Sequence, residues 1–103
     1  MREVDYVVRL GEDARRRHYH ETERGRVVRF VVQLEVKAKG GWHMVLRYDC
    51  SHGFAHRDRY NLKGEQIKEA LSGSYEEVLT LADGDIKKAW REYKERFLEG
   101  GYP

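Results

Sequence analysis

The segment RYDCSHGFAHRD, Arg47 to Asp58, sets Arg47, Asp49, Cys50, His52, His56, Arg57 and Asp58 around the single Gly53. Charged groups taken from water without partners cost several kcal/mol each, so such density marks a site or a tightly paired network. Groups with different ordinary pKa values sharing one small region are how acid–base and phosphate-handling sites are built. Cutting RNA through its own 2′-hydroxyl needs a base for that proton, an acid for the leaving oxygen and a cation over the phosphate. Imidazole titrates near neutrality and suits either proton role, and guanidinium offers forked, permanently charged donors to phosphate. Arg47, Asp49, His52, His56, Arg57 and Asp58 are therefore the candidate catalytic residues. His52 and His56 would move protons, Arg47 and Arg57 would hold phosphate, and Asp49 would orient a histidine. The function this predicts is an RNA- or phosphate-directed protein acting as a metal-independent ribonuclease.

Arg15, Arg16 and Arg17 with His18, Tyr19 and His20 form a second basic stretch, read as an accessory surface for the RNA backbone and for base stacking. A metal site from His52 and His56 with Asp49, Asp58 or Cys50 is the weaker reading. The H-x3-H spacing needs a helix that Gly53 and Phe54 oppose, and no second cysteine pair exists. The expectation is no metal and no cofactor. The reading from a different class is a non-enzymatic dimeric interaction module whose charged turn is purely structural. There Asp49 would cap the turn, Arg47 would pair with Asp58, and both histidines would be solvated.

The elements that position these groups follow from periodicity. Residues 3–10 alternate as a half-buried strand, and Val28, Phe30, Val32, Leu34, Val36 and Ala38 share one face of another. Gly40-Gly41 predicts a tight hairpin turn, and the return strand puts Trp42, Met44, Leu46, Tyr48 and Cys50 on the core face. Arg47 and Asp49 then point the other way. Residues 54–61 read as a further strand; residues 11–25 and 65–71 carry no clear period. Ser74 with Glu77 is a capping box opening a long amphipathic helix, whose interior Gly84 predicts a kink or a break. The fold class expected is α+β: an antiparallel sheet of about four strands with one face packed by the C-terminal helix, in one domain spanning 1–103.

At 103 residues, 40% of them hydrophobic, the chain can bury a single core. Charged residues reach 37%, a balance seen in thermophile proteins. The net charge of +2 is too mild to prove a nucleic-acid partner by itself. Cys50 is the lone cysteine, no apolar run is long enough to span a membrane, and no signal-peptide pattern is visible. These features predict a cytoplasmic protein without membrane contact. No P-loop, nucleophile elbow or dinucleotide fingerprint is present. Polar-tipped aromatics on the helix, Tyr75, Trp90 and Tyr93, could line a homodimer seam.

RYDCSHGFAHRD, followed by EEVLTLADGDIKKAWREYKERFLEG, resembles a family of small uncharacterised prokaryotic proteins with a His-Gly-Phe-Ala-His-Arg-Asp core motif. The likeness covers roughly the last 60 residues and sharpens the site rather than the reaction. A weaker similarity runs to the TumE-like toxins of toxin–antitoxin pairs. It rests on Arg47-Tyr48-Asp49 at a strand end followed by His52 and His56. That similarity implies an RNA target and a cognate antitoxin partner. The sequence departs from the toxin pattern in lacking its proline-bearing insertion, and His56-Arg57-Asp58 stands where that pattern has a terminal His-x-His.

Overall fold

The computed structural model describes residues 1–103. Six strands, β1 (Arg2–Gly11), β2 (Ala14–Glu23), β3 (Arg26–Ala38), β4 (Gly41–Asp49), β5 (His56–Tyr60) and β6 (Gln66–Ala70), precede one helix, α1 (Tyr75–Leu98). The strands lie in sequence order in a single antiparallel sheet, and α1 covers one face across β2, β3 and β4. The class is α+β as expected, but the sheet has six strands rather than about four.

The two extra strands come from the stretches without a clear period. β2 turns Ala14, Arg16 and His18 to the helix, all three buried, so polar side chains occupy positions where alternation would show apolar ones. β6 is an exposed edge strand with no hydrophobic face to betray it. Tight turns join the early hairpins. Arg24 and Gly25, with φ of 50° and 77°, link β2 to β3, and Lys39 and Gly40, with φ of 40° and 86°, link β3 to β4. The second turn therefore sits one residue earlier than the Gly40-Gly41 pair suggests, and Gly41 opens β4.

Core packing follows the alternation along β3. Phe30, Val32, Leu34 and Val36 are each fully buried beneath Val78, Ala82 and Ile86 of α1. Two β-bulges shift the expected faces. At Val28 the register slips between Glu21 and Thr22, so Val27 packs on the core while Val28 is 41% exposed. At Val45 it slips between Leu34 and Glu35. Leu46 and Tyr48 face the helix as expected, but Trp42 and Met44 move to the opposite face, where Arg15 lies 3.9 Å above the Trp42 ring.

Helix α1 begins at the capping box. Ser74 Oγ accepts from the Glu77 N–H at 3.1 Å, and Glu77 Oε1 accepts from the Ser74 N–H at 2.8 Å. The helix runs unbroken through Gly84, contrary to the expected kink. Gly84 lies on the exposed side while Ala82 and Ile86 on either side are fully buried, and that packing outweighs glycine's cost of about 1 kcal/mol.

Candidate functional site

Side-chain parity delivers the first part of the site. With Leu46 and Tyr48 committed to the core, Arg47 and Asp49 project from the sheet face that α1 leaves open. The β4–β5 register then sets Asp49 opposite His56 and Arg47 opposite Asp58. Opposed residues share a face, so all four meet on the open side. Gly53, at φ 84°, supplies the turn between the strands, and its N–H donates to Cys50 O at 3.1 Å. That turn lays the His52 and Phe54 rings 5.3 and 5.5 Å from the His56 ring, centroid to centroid. His52 and Phe54 stay exposed, whereas His56 is sealed at 1% exposure.

Asp49 is the hub. Its carboxylate accepts from Arg47 Nε at 2.6 Å, and from the Ser51 N–H and Oγ at 3.1 and 3.2 Å. Burial alone would push this carboxyl up; the Ser51 N–H, the Arg47 guanidinium and His56 together outweigh it and hold the group below its ordinary value. His56 lies between two carboxylates, with Nε2 2.6 Å from Asp49 Oδ1 and Nδ1 3.6 Å from Asp58 Oδ1. Neither approach is aligned as a hydrogen bond, so both ring nitrogens and Asp58 Oδ1 lack a hydrogen-bond partner in the interior. Asp49, His56 and Asp58, all buried, each present a ligating atom within 4.8 Å of the others, which is the spacing of a set able to hold a metal ion. Tyr60 follows Asp58 on the same face, its phenol pushed up by burial and by the Asp58 charge.

Arg57 does not join them. It projects to the covered face, donating to Glu69 Oε1 at 3.0 Å and to the Tyr48 hydroxyl at 3.4 Å. Tyr48 and Tyr93 in turn both donate to Asp85 of α1 at 2.6 Å, so Arg57 belongs to a strand–helix clamp. Its neighbours in sequence are on the open side because the period of a strand is two.

The second basic stretch divides for the same reason. Arg15 and Arg17 lie on the open face, where their Nε atoms donate to the Glu35 carboxylate at 2.5 and 2.8 Å. Arg16, His18 and His20 lie on the covered side. There Asp83 of α1 stands 3.1 Å from Arg16 Nε and 3.0 Å from His18 Nδ1, and His18 Nε2 is 2.7 Å from His20 Nδ1. Burial and the neighbouring His18 push the His20 imidazole down. The five residues therefore divide between the two faces of the sheet, and of them Arg15 and Arg17 share a face with Arg47, Asp49, His56 and Asp58.

Cross-strand register also recruits residues that linear reading passed over. One row on the open face runs Arg17, Gln33, Arg47, Asp58, Lys68, and the next runs Tyr19, Val31, Asp49, His56, Ala70. Lys68 and Gln33 carry no local motif, and only strand pairing places them beside the site. Arg17, Arg47 and Lys68 fall on alternate strands, about 10 Å apart at the usual strand spacing. The three surface depressions of the molecule lie elsewhere, against Met1 and Arg24, against Ser72 and Leu81, and along Trp90 to Glu95. The open face thus offers a broad, shallow surface rather than a pocket for a small molecule.

No helix is long and apolar enough to cross a membrane. No curated protein and no solved structure matches the chain. A family model described as a domain of unknown function does match, over residues 1–102. The chain therefore belongs to that family, DUF7718.

Proposed function

We propose that this protein is directed at RNA through its phosphates, with the open face of the sheet as the docking surface and the Arg47–Asp58 segment at its centre. The observation that carries the reading is the row Arg17, Gln33, Arg47, Asp58, Lys68, which spaces three cations across the face helix α1 leaves uncovered. Open antiparallel faces with cations and aromatic rings suit single-stranded RNA, since phosphates meet the charges and bases stack on the rings. Exposed His52 and Phe54 and half-buried Tyr19, Tyr60 and Trp42 are the rings available. His52 is the imidazole a substrate can reach, with sealed His56 and Asp49 behind it as positioning groups rather than as a second proton donor. In the toxin-like form of this reading, an antitoxin would cover the same face.

The experiment is anisotropy of a labelled single-stranded oligoribonucleotide against the full chain at several salt concentrations in EDTA, with a cleavage gel alongside. Each phosphate contact contributes about 0.7 to the slope of log K against log salt. Arg47→Ala and Arg17→Ala should each weaken binding and lower that slope by about this amount. His52→Ala should remove cleavage and leave most of the binding. Absence of salt-dependent binding, or indifference to both arginine variants, would overturn the proposal. It would favour the interaction-module reading, for which the complete pairing of Asp49 by Arg47 and Ser51 is the supporting observation.

A further inference from the structure

We propose that Asp49, His56 and Asp58 form a binding site for a divalent transition-metal ion. Neither the H-x3-H spacing, which Gly53 and Phe54 keep from a helix, nor a second cysteine pair signals a metal site in the sequence. The sheet assembles the ligands instead: Asp49 and His56 face each other across β4 and β5, and Asp58 follows His56 by one strand period. This inference stands apart from the RNA reading, since it concerns the floor of the site beneath His52 and not the open face around it.

Three observations carry it. The three residues are 3%, 1% and 5% exposed, so their ligand atoms are withdrawn from water. Neither His56 ring nitrogen nor Asp58 Oδ1 finds a hydrogen-bond partner, and a buried polar atom left so is costly. The candidate ligand atoms lie within 4.8 Å of one another, and with Asp49 2.6 Å from Nε2 and Asp58 3.6 Å from Nδ1, a turn of the His56 ring would aim one nitrogen between the two carboxylates.

Charge and ligand type choose the class of ion. Two carboxylates against the one guanidinium of Arg47 favour a cation, and Arg47 with Ser51 anchors the Asp49 carboxylate as outer-shell partners of ligating groups commonly do. One imidazole with two carboxylates suits zinc, manganese or iron(II) better than magnesium, which binds nitrogen poorly and keeps its waters. Three protein ligands leave a further coordination position, and the exposed His52 stands beside the site with its ring 5.3 Å from that of His56.

The test adds Zn²⁺, Co²⁺ or Mg²⁺ to the EDTA-stripped full chain without RNA, reading stoichiometry by calorimetry and the coordination sphere by the visible spectrum of bound Co²⁺. Expected are one equivalent of Zn²⁺, a Co²⁺ spectrum of low coordination number, a shift of the His56 ring nitrogens in NMR, and much weaker Mg²⁺ binding. Asp58→Asn, close in shape and folded by circular dichroism, should weaken Zn²⁺ on the order of 100-fold, whereas His18→Ala on the covered face should not. Should the variant fail to fold, the His56 nitrogen shift in the wild-type chain decides alone. Binding unaffected by Asp58→Asn, or His56 nitrogens that both carry protons and ignore added Zn²⁺, would overturn the proposal.

Discussion

Replacing Asp49 by Asn tests whether the charged turn is held by the contacts assigned to it. The carboxylate accepts from Arg47 Nε at 2.6 Å and from two groups of Ser51 at 3.1 and 3.2 Å, and it lies 2.6 Å from His56 Nε2 without a hydrogen bond. Asparagine keeps an acceptor for Ser51 but loses the charge. The Arg47 side chain is 33% exposed and recovers water, so its loss costs about 1 kcal/mol. His56, at 1% exposure, has no water to replace the adjacent carboxylate, and losing that buried charge contact costs about 2 kcal/mol more. The sum, about 3 kcal/mol, corresponds to a drop in Tm of about 10–25 °C for a domain of this size. Urea unfolding in EDTA, followed by the fluorescence of Trp42 and Trp90, measures it. In a His56→Leu background the same substitution should cost only about 1 kcal/mol, a coupling of about 2 kcal/mol. A cost below about 0.5 kcal/mol, or single effects that simply add, would refute the reasoning.

Glu35→Gln should destabilise by about 2 kcal/mol, because the buried carboxylate accepts from Arg15, Arg17 and Gln33. Burial pushes the Glu35 carboxyl up, but Arg15, Gln33 and Arg17 together hold it below its ordinary value. Its contribution is therefore full above the unfolded carboxylate range and is lost as pH falls through the folded pKa. The gap between wild type and variant should close on acidification, as denaturant melts from pH 7 to pH 2.5 would show. Gly84→Ala should stabilise by about 0.5–1 kcal/mol, since an added Cβ meets nothing within 4 Å; a loss of stability would mean the helix needs glycine there. Burial and Asp85 push the Tyr93 phenol up to about 12, and Tyr48 rises for the same reasons. Absorbance at alkaline pH should show both still protonated when exposed tyrosines have ionised, and Asp85→Asn should bring both transitions down.

What the sequence disclosed depended on whether polarity tracked burial. β3 and the helix were legible because apolar residues fill their inward positions, and Arg47 and Asp49 were placed outward correctly because Leu46 and Tyr48 are core. β2 was opaque because Arg16 and His18 occupy inward positions against Asp83, and polarity there says nothing of burial. The bulge at Val45 defeated parity for Trp42 and Met44, since an inserted residue flips every side chain beyond it. The site was half visible. Local spacing found the Asp49, His52, His56 and Asp58 cluster but could not show that parity sends Arg57 to the other face. Gln33 and Lys68 needed the cross-strand register, which a single sequence does not carry.

The claim on which the account turns is that ligands meet this protein on the open face, at the Arg47–Asp58 segment. Amide and imidazole NMR shifts during titration with a short single-stranded oligoribonucleotide at low salt test it directly. Perturbations are expected at Arg17, Arg47, His52, Tyr60 and Lys68, with His18, His20 and the exposed side of α1 unmoved. Perturbations gathered on the helix, or none along that row, would contradict it.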